Sequence, residues 1–283
     1  MIALVDVLKR TQGYFQERGI PSARLDAELL LAHVLGLDRV ALYLQFDRPL
    51  EDSELETLRP LVRRRGAREP MAWLLGVKGF YKHDFYSPPG VLVPRPDTEA
   101  LVEAALAHLP EGEALFVADV GTGTGAIGLS LLAARPLIKL FATDLSAEAL
   151  AATKENAKRL GLTERVATLR GPLLQPIPPG RPIDVVVSNP PYIPSAQIDT
   201  LAPEIKDHEP RLALDGGADG LDVYRALVPE AARRARRAVL VEVGDGQAEA
   251  VAALFEAAGL TDVTTRADLT GTARVVEGRV KAA

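Results

Sequence analysis

Leu115-Phe116-Val117-Ala118-Asp119-Val120-Gly121-Thr122-Gly123-Thr124-Gly125 is an apolar run that ends in alternating glycines. The run, residues 115–120, has the near-continuous hydrophobicity of a strand buried on both faces. Glycines after it let the backbone turn sharply and approach a ligand with no Cβ in the way. Downstream, apolar runs recur at residues 138–143, 183–188 and 238–243, with helical segments between them. One such helix spans residues 146–160 and stops at Gly161. Two more strands are expected near 262–265 and 273–277. Strand alternating with helix predicts an α/β domain with a mainly parallel, doubly wound, Rossmann-like sheet.

Upstream the pattern changes. Residues 1–72 read as helices only: Leu25, Leu29, Ala32, His33 and Gly36 fall at helical spacing behind an N-cap at Ser22. A further helix is expected over 52–65, kinked or divided at Pro60. Gly79-Phe80-Tyr81 and Asp84-Phe85-Tyr86 flank a turn and predict a β-hairpin. Pro94-Arg95-Pro96 then leads into a helix opened by Asp97, Thr98 and Glu99. The expected organisation is a small helical domain over 1–72, a hairpin linker over 73–95 and an α/β domain over 96–283.

Of the 283 residues 47% are hydrophobic and 25% charged, the balance of a globular chain able to bury a core. There is no cysteine, which excludes disulfides, thiolate nucleophiles and cysteine-ligated metals. His33, His83, His108 and His208 are scattered without metal-ligand spacing, so no metal is expected. The net charge of −5 disfavours a long nucleic-acid partner. Arg63-Arg64-Arg65 and the arginines of 233–237 read as dipole-complementing helix ends. No apolar run is long enough to span a membrane, and the N-terminus lacks the pattern of a signal peptide, so a cytoplasmic protein is expected.

The glycine loop admits two ligands. Gly123-x-Gly125-x-x-Gly128, with Asp144 after the next strand, satisfies the dinucleotide fingerprint. Gly121-x-Gly123-x-Gly125 matches the loop with which many methyltransferases hold S-adenosylmethionine. Either way Gly121, Thr122, Gly123, Thr124 and Gly125 are candidate cofactor contacts, and Asp144 a candidate for ribose hydroxyls. Asn189-Pro190-Pro191-Tyr192, at the end of the 183–188 run, separates the readings. Two prolines fix φ twice and remove two donors, so the loop is rigid and presents carbonyls. Asn189 offers its side-chain oxygen and Pro190 its main-chain oxygen, a pair of acceptors suited to an –NH2 group. Tyr192 offers an aromatic face to a planar amide or base. Hydride transfer has no use for such a pair, whereas nitrogen methylation does. Asn189, Pro190 and Tyr192 are therefore the candidate catalytic residues. Asn189, Pro190, Pro191 and Tyr192 are candidates for gripping the substrate, with Asn189 also beside the cofactor. A rigid turn that merely ends the strand is the plain alternative.

The chain resembles the bacterial release factor glutamine methyltransferase family over almost its full length. The strings that carry the resemblance are Leu25-Asp26-Ala27-Glu28-Leu29-Leu30-Leu31-Ala32-His33, Glu69-Pro70 and Leu75-Gly76. They continue with Pro89-Gly90-Val91-Leu92-Val93-Pro94-Arg95-Pro96-Asp97-Thr98-Glu99 and Ser188-Asn189-Pro190-Pro191-Tyr192-Ile193. Glu209-Pro210-Arg211-Leu212-Ala213-Leu214 and Gly216-Gly217-Ala218-Asp219-Gly220-Leu221 complete them. The resemblance implies methylation of the glutamine side-chain amide in the Gly-Gly-Gln loop of peptide chain release factors. S-adenosylmethionine is then the donor, S-adenosylhomocysteine the product, and the helical domain a docking element. A cytoplasmic monomer with no stable nucleic-acid partner is expected.

One position departs from the family. Gly171-Pro172-Leu173-Leu174 stands where Gly-Asp-Leu-Phe is usual, which removes an acceptor for the adenine amino group. Leu173 is left to pack on adenine, and recognition of its amino group falls to the backbone. A ribosomal-protein glutamine methyltransferase, an adenine amino methyltransferase and a non-catalytic nucleoside-binding module are the competing readings.

Overall fold

The computed structural model describes residues 2–268 and 271–281. In chain order it opens with strand β1 (Ile2–Ala3), helices α1 (Leu4–Glu17), α2 (Ala23–Leu35) and α3 (Arg39–Leu44), and strand β2 (Pro49–Leu50). Helices α4 (Asp52–Gly66) and α5 (Met71–Leu75) precede the hairpin β3 (Val77–Phe80) and β4 (His83–Tyr86). Next come α6 (Glu99–Leu106), β5 (Phe116–Val120), α7 (Ala126–Ala134), β6 (Lys139–Asp144), α8 (Ala147–Arg159), β7 (Val166–Arg170) and β8 (Ile183–Ser188). Short α9 (Pro203–Lys206) is followed by α10 (Asp222–Arg234), β9 (Ala235–Glu242), α11 (Ala248–Ala257), β10 (Thr261–Ala267) and β11 (Ala273–Arg279).

These elements form two units. The first comprises residues 1–77 together with 202–208, the second residues 78–201 and 209–283. In the first unit Leu4, Phe15, Ala27, Leu30, Leu31 and Leu42 are fully buried. A buried ion pair in it runs from Arg65 Nε to Asp26 at 2.7 Å. Arg65 and Arg68 also hold Glu204 of α9 at 2.9 and 2.7 Å, fixing the 202–208 segment there. Helix α4 starts where the Glu51 amide donates to Glu54 at 2.9 Å, and it ends in Arg63, Arg64 and Arg65. It runs through Pro60 undivided, giving up only the hydrogen bond that a proline cannot donate. Ser22 precedes α2 but makes no side-chain cap bond.

The second unit is built on a seven-stranded sheet in the order β10-β11-β9-β8-β5-β6-β7. Strands β9, β8, β5, β6 and β7 are parallel, while β11 runs antiparallel to its two neighbours. All six residues of β8 are buried, which makes its sequence nearly continuously apolar, with Asp184 and Ser188 the exceptions. Strand β7 was not expected, because it is an edge strand whose residues are all partly or fully exposed. Strand β9 begins at Ala235, so Arg236 and Arg237 lie in a strand and not at a helix end. Helix α7 packs so closely on the sheet that a Cβ on Gly128 would stand 2.7 Å from the Leu140 side chain. Among the described residues no helix is long and apolar enough to cross a membrane.

Candidate functional site

The register of the sheet brings the sequence-predicted residues together. Val120 pairs with Ser188, so the glycine loop and the Asn189 loop leave adjacent strands side by side. Ser188 Oγ donates to the Val120 carbonyl at 2.7 Å and locks the two exits together. Val120 also pairs with Thr143, which puts Asp144 next in line at the end of β6. The chain leaves β5 toward β6 on one side and reaches β8 on the other. A crevice opens at the carboxyl ends where an open α/β sheet reverses its strand order in this way.

A cavity of about 380 Å3 occupies that crevice. Gly121 and Gly123 line it at φ +70° and +57°, and a Cβ on either would meet no atom within 4 Å. The loop thus presents bare backbone to open space, in a conformation that disfavours side chains. The Gly123 amide donates to Asp144 Oδ2 at 3.0 Å and the Ser146 amide to Oδ1 at 2.9 Å. These bonds fix the carboxylate on the cavity wall, although burial raises its pKa. Asp119, one strand over, is fully buried; its Oδ2 accepts from Thr122 Oγ1 at 2.8 Å and from the Gly128 amide at 3.1 Å. Its Oδ1 has no partner, and burial pushes the carboxyl up to about 6.

Asn189, Pro190 and Pro191 line the same cavity. The Asn189 side chain is oriented from behind: Nδ2 donates to Thr98 Oγ1 at 3.2 Å, with the buried Glu242 carboxyl beside it. Among the described residues, neither Asn189 Oδ1 nor the Pro190 carbonyl accepts a hydrogen bond. Both acceptors therefore retain their full capacity.

Tyr192 is turned away from this cavity. Its ring lies against Gly244, where a Cβ would approach Tyr192 Cδ2 to 2.9 Å, and its hydroxyl reaches Glu242 Oε1 at 3.5 Å. Burial, with Glu242 beside it, pushes the phenol up to about 12. Gln247 staples the loop: its Nε2 donates to the Tyr192 carbonyl at 2.9 Å while its Oε1 accepts from the Gly244 amide at 3.0 Å.

Gly121, Gly123, Asp144, Leu173, Asn189, Pro190 and Pro191 thus share one cavity. Thr122, Thr124, Gly125 and Tyr192 do not line it: the first two are buried, and the Thr122 hydroxyl is spent on Asp119. Leu173 sits at φ +50° with its carbonyl tied to Thr143 Oγ1 at 2.8 Å. Exposed Pro172 lies beside it on the wall. Thr98 as the partner of Asn189, and Glu242 and Gln247 behind Tyr192, were not singled out from sequence. The signal available was position, since Glu242 ends the strand next to β8.

Comparison with known proteins matches residues 6–76 to the PrmC N-terminal domain and residues 87–217 to the methyltransferase small domain. A release factor glutamine methyltransferase of Geobacter sulfurreducens is 45% identical over 276 residues, covering 97% of this chain and 95% of its own. One from Caulobacter vibrioides is 43% identical over 279 residues, covering 98% and 96%. Among solved structures, the hMettl16 catalytic domain in complex with MAT2A 3′UTR hairpin 6 superposes with a TM-score of 0.57. It is 15% identical and the match covers 82% of this chain and 85% of that one, a likeness of fold alone.

Proposed function

Since this chain belongs to the release factor glutamine methyltransferase family, we propose that it methylates the glutamine of the Gly-Gly-Gln loop in peptide chain release factors. The methyl goes from S-adenosylmethionine to the side-chain amide nitrogen, leaving S-adenosylhomocysteine. The protein acts as a monomer in the cytoplasm, with residues 1–72 as a docking element for its protein substrate.

One observation carries the reading: two unspent acceptors, Asn189 Oδ1 and the Pro190 carbonyl, stand on the wall of the cavity that Gly121, Gly123 and Asp144 also line. The residues fit S-adenosylmethionine, since the cavity has the volume of a small-molecule site and the glycine loop leaves room where a Cβ would project. Gly121 and Gly123 would take its amino-acid portion, Asp144 the ribose hydroxyls, and Leu173 a face of the adenine. When bound it supplies an electrophilic methyl on a sulfonium.

The remaining work falls to the chain. An amide nitrogen is a poor nucleophile because its lone pair is delocalised into the carbonyl. Asn189 Oδ1 and Pro190 O each accept one amide hydrogen, hold the nitrogen in line with the methyl, and favour a tetrahedral nitrogen. They also stabilise the positive charge that develops there, acceptors preorganised for charge that appears only in the transition state. Pro190 and Pro191 fix the loop so that this geometry costs no reorganisation. The nitrogen loses its proton readily once cationic, so no strong base has to touch it. The test is mass spectrometry of a bacterial release factor after incubation with enzyme and S-adenosylmethionine. One added methyl on the Gly-Gly-Gln glutamine is expected; a methyl on another residue, or none, overturns the reading.

A further inference from the structure

Glu242 is the last residue of β9, and the Ser188–Val241 pairing sets it beside Asn189. It is 2% exposed, and no hydrogen bond reaches its Oε2. Its Oε1 takes a long contact from the Tyr192 hydroxyl at 3.5 Å, and the Thr98 and Asn189 side chains stand beside the carboxyl as further donors. Arg274, the cation that acts on it, makes no ion pair with it and is engaged by Asp245, Asp268 and Asp97 at 2.5, 3.1 and 3.5 Å. A buried carboxyl left in this state is costly, and a chain that needed only volume there would have a neutral side chain.

The count of donors points to what the carboxyl does. A side-chain amide has two N–H groups. Asn189 uses one on Thr98 Oγ1, and its other faces the carboxyl, whose Oε2 lacks a partner. We propose that Glu242 is a positioning residue for methyl transfer: from behind the loop it accepts from Asn189 and Tyr192, holding Asn189 Oδ1 toward the acceptor nitrogen. This rests on the reading of Asn189 given above. With Thr98 and Glu242 both accepting from Nδ2, the amide cannot flip. A negative charge behind it also polarises Oδ1, making it a stronger acceptor for a nitrogen that is becoming cationic. Glu242 does not line the cavity, so its effect passes through Asn189.

Burial pushes the Glu242 carboxyl up to about 7, opposed by Thr98, Arg274 and Asn189. Tyr192 from its loop, Tyr224 from α10, Arg274 from β11 and Asp97 from the turn before α6 face it as well. The positioning role needs the ionised form, so turnover should rise with pH through that value.

The experiment compares wild type with Glu242→Gln, using a release factor as acceptor, from about pH 6 to about pH 8. Wild-type kcat should rise roughly 10-fold across the range, as expected for one essential ionisation with a pKa near its middle. Glu242→Gln should lower kcat at the upper end by about 10-fold and lose the pH limb. Its affinity for S-adenosylmethionine should be unchanged and its Tm no lower than wild type. In an Asn189→Ala background, adding Glu242→Gln should cost nothing further, because both act on one contact. A flat wild-type profile, a Glu242→Gln kcat within twofold of wild type, or additive losses in the double variant would each overturn the proposal. A wild type that transfers no methyl to the release factor overturns the acceptor assignment, and this inference with it.

Discussion

The side-chain amide of Asn189 donates to Thr98 Oγ1 across 3.2 Å although 91 residues separate the two in the chain. That bond decides which end of the amide faces the cavity, because Nδ2 must lie toward Thr98 and Oδ1 away from it. Thr98→Val keeps the shape of the buried side chain and removes the acceptor. It should lower kcat by about 10-fold, less than the loss expected when a charge-stabilising contact is deleted outright. Affinity for S-adenosylmethionine should not change. Steady-state kinetics with calorimetry decide it, and an unchanged kcat would show that Asn189 keeps its orientation unaided.

Asp144→Ala addresses the cofactor. The carboxylate stands on the cavity wall with two backbone amides behind it. Loss of hydrogen bonds from ribose to a charged acceptor should weaken S-adenosylmethionine by about 10- to 100-fold. Binding calorimetry reads this directly, and equal affinity would move the ribose contact to another residue.

Stability should depend on pH in a defined direction. Burial raises Asp119 to about 6 and Glu242 to about 7. A carboxyl whose pKa is raised in the folded state contributes stability that is fully present below its unfolded pKa. That contribution is lost as pH rises through the folded value. Tm of the protein without ligand should therefore fall between about pH 5 and about pH 8, and Asp119→Asn should flatten the fall. Thermal denaturation across that range tests it; a Tm that climbs toward pH 8 would contradict it.

Arg95 and Glu209 join two of the distinctive strings. Arg95 donates to a Glu209 carboxylate that is 5% exposed and whose pKa burial raises. Arg95→Ala leaves that carboxyl without its cation and should destabilise the fold by about 1–2 kcal/mol, discounted because the arginine is partly exposed. Adding Glu209→Gln should recover most of the loss. Denaturant titration of both variants checks this, and a double variant weaker than the single one would refute it.

Strands β5 and β8 were legible because both faces are covered, so most of their residues are apolar with no alternation. The glycine loop and Asn189 were legible because each follows such a strand. Strand β7 was not, since a half-exposed edge tolerates Val166-Ala167-Thr168-Leu169-Arg170, a run with no pattern of its own. Arg236 and Arg237 hid the start of β9, where an exposed and a half-exposed arginine interrupt the apolar run. The surroundings of Asn189 were the harder loss. Thr98 and Glu242 reach it through sheet register and a turn far away in the chain, and neither carries a local sign of that task. Tyr192 was expected to face the substrate, yet Gly244 and Gln247 hold it against the Glu242 side of the loop.

The most direct measurement of the central claim uses labelled S-adenosylmethionine and two release factors that differ only at the glutamine of the Gly-Gly-Gln loop. Label should pass to the natural protein and not to its Gln→Ala variant, and Asn189→Ala in the enzyme should cut the transfer by about 10²-fold. Equal labelling of both release factors would contradict the account.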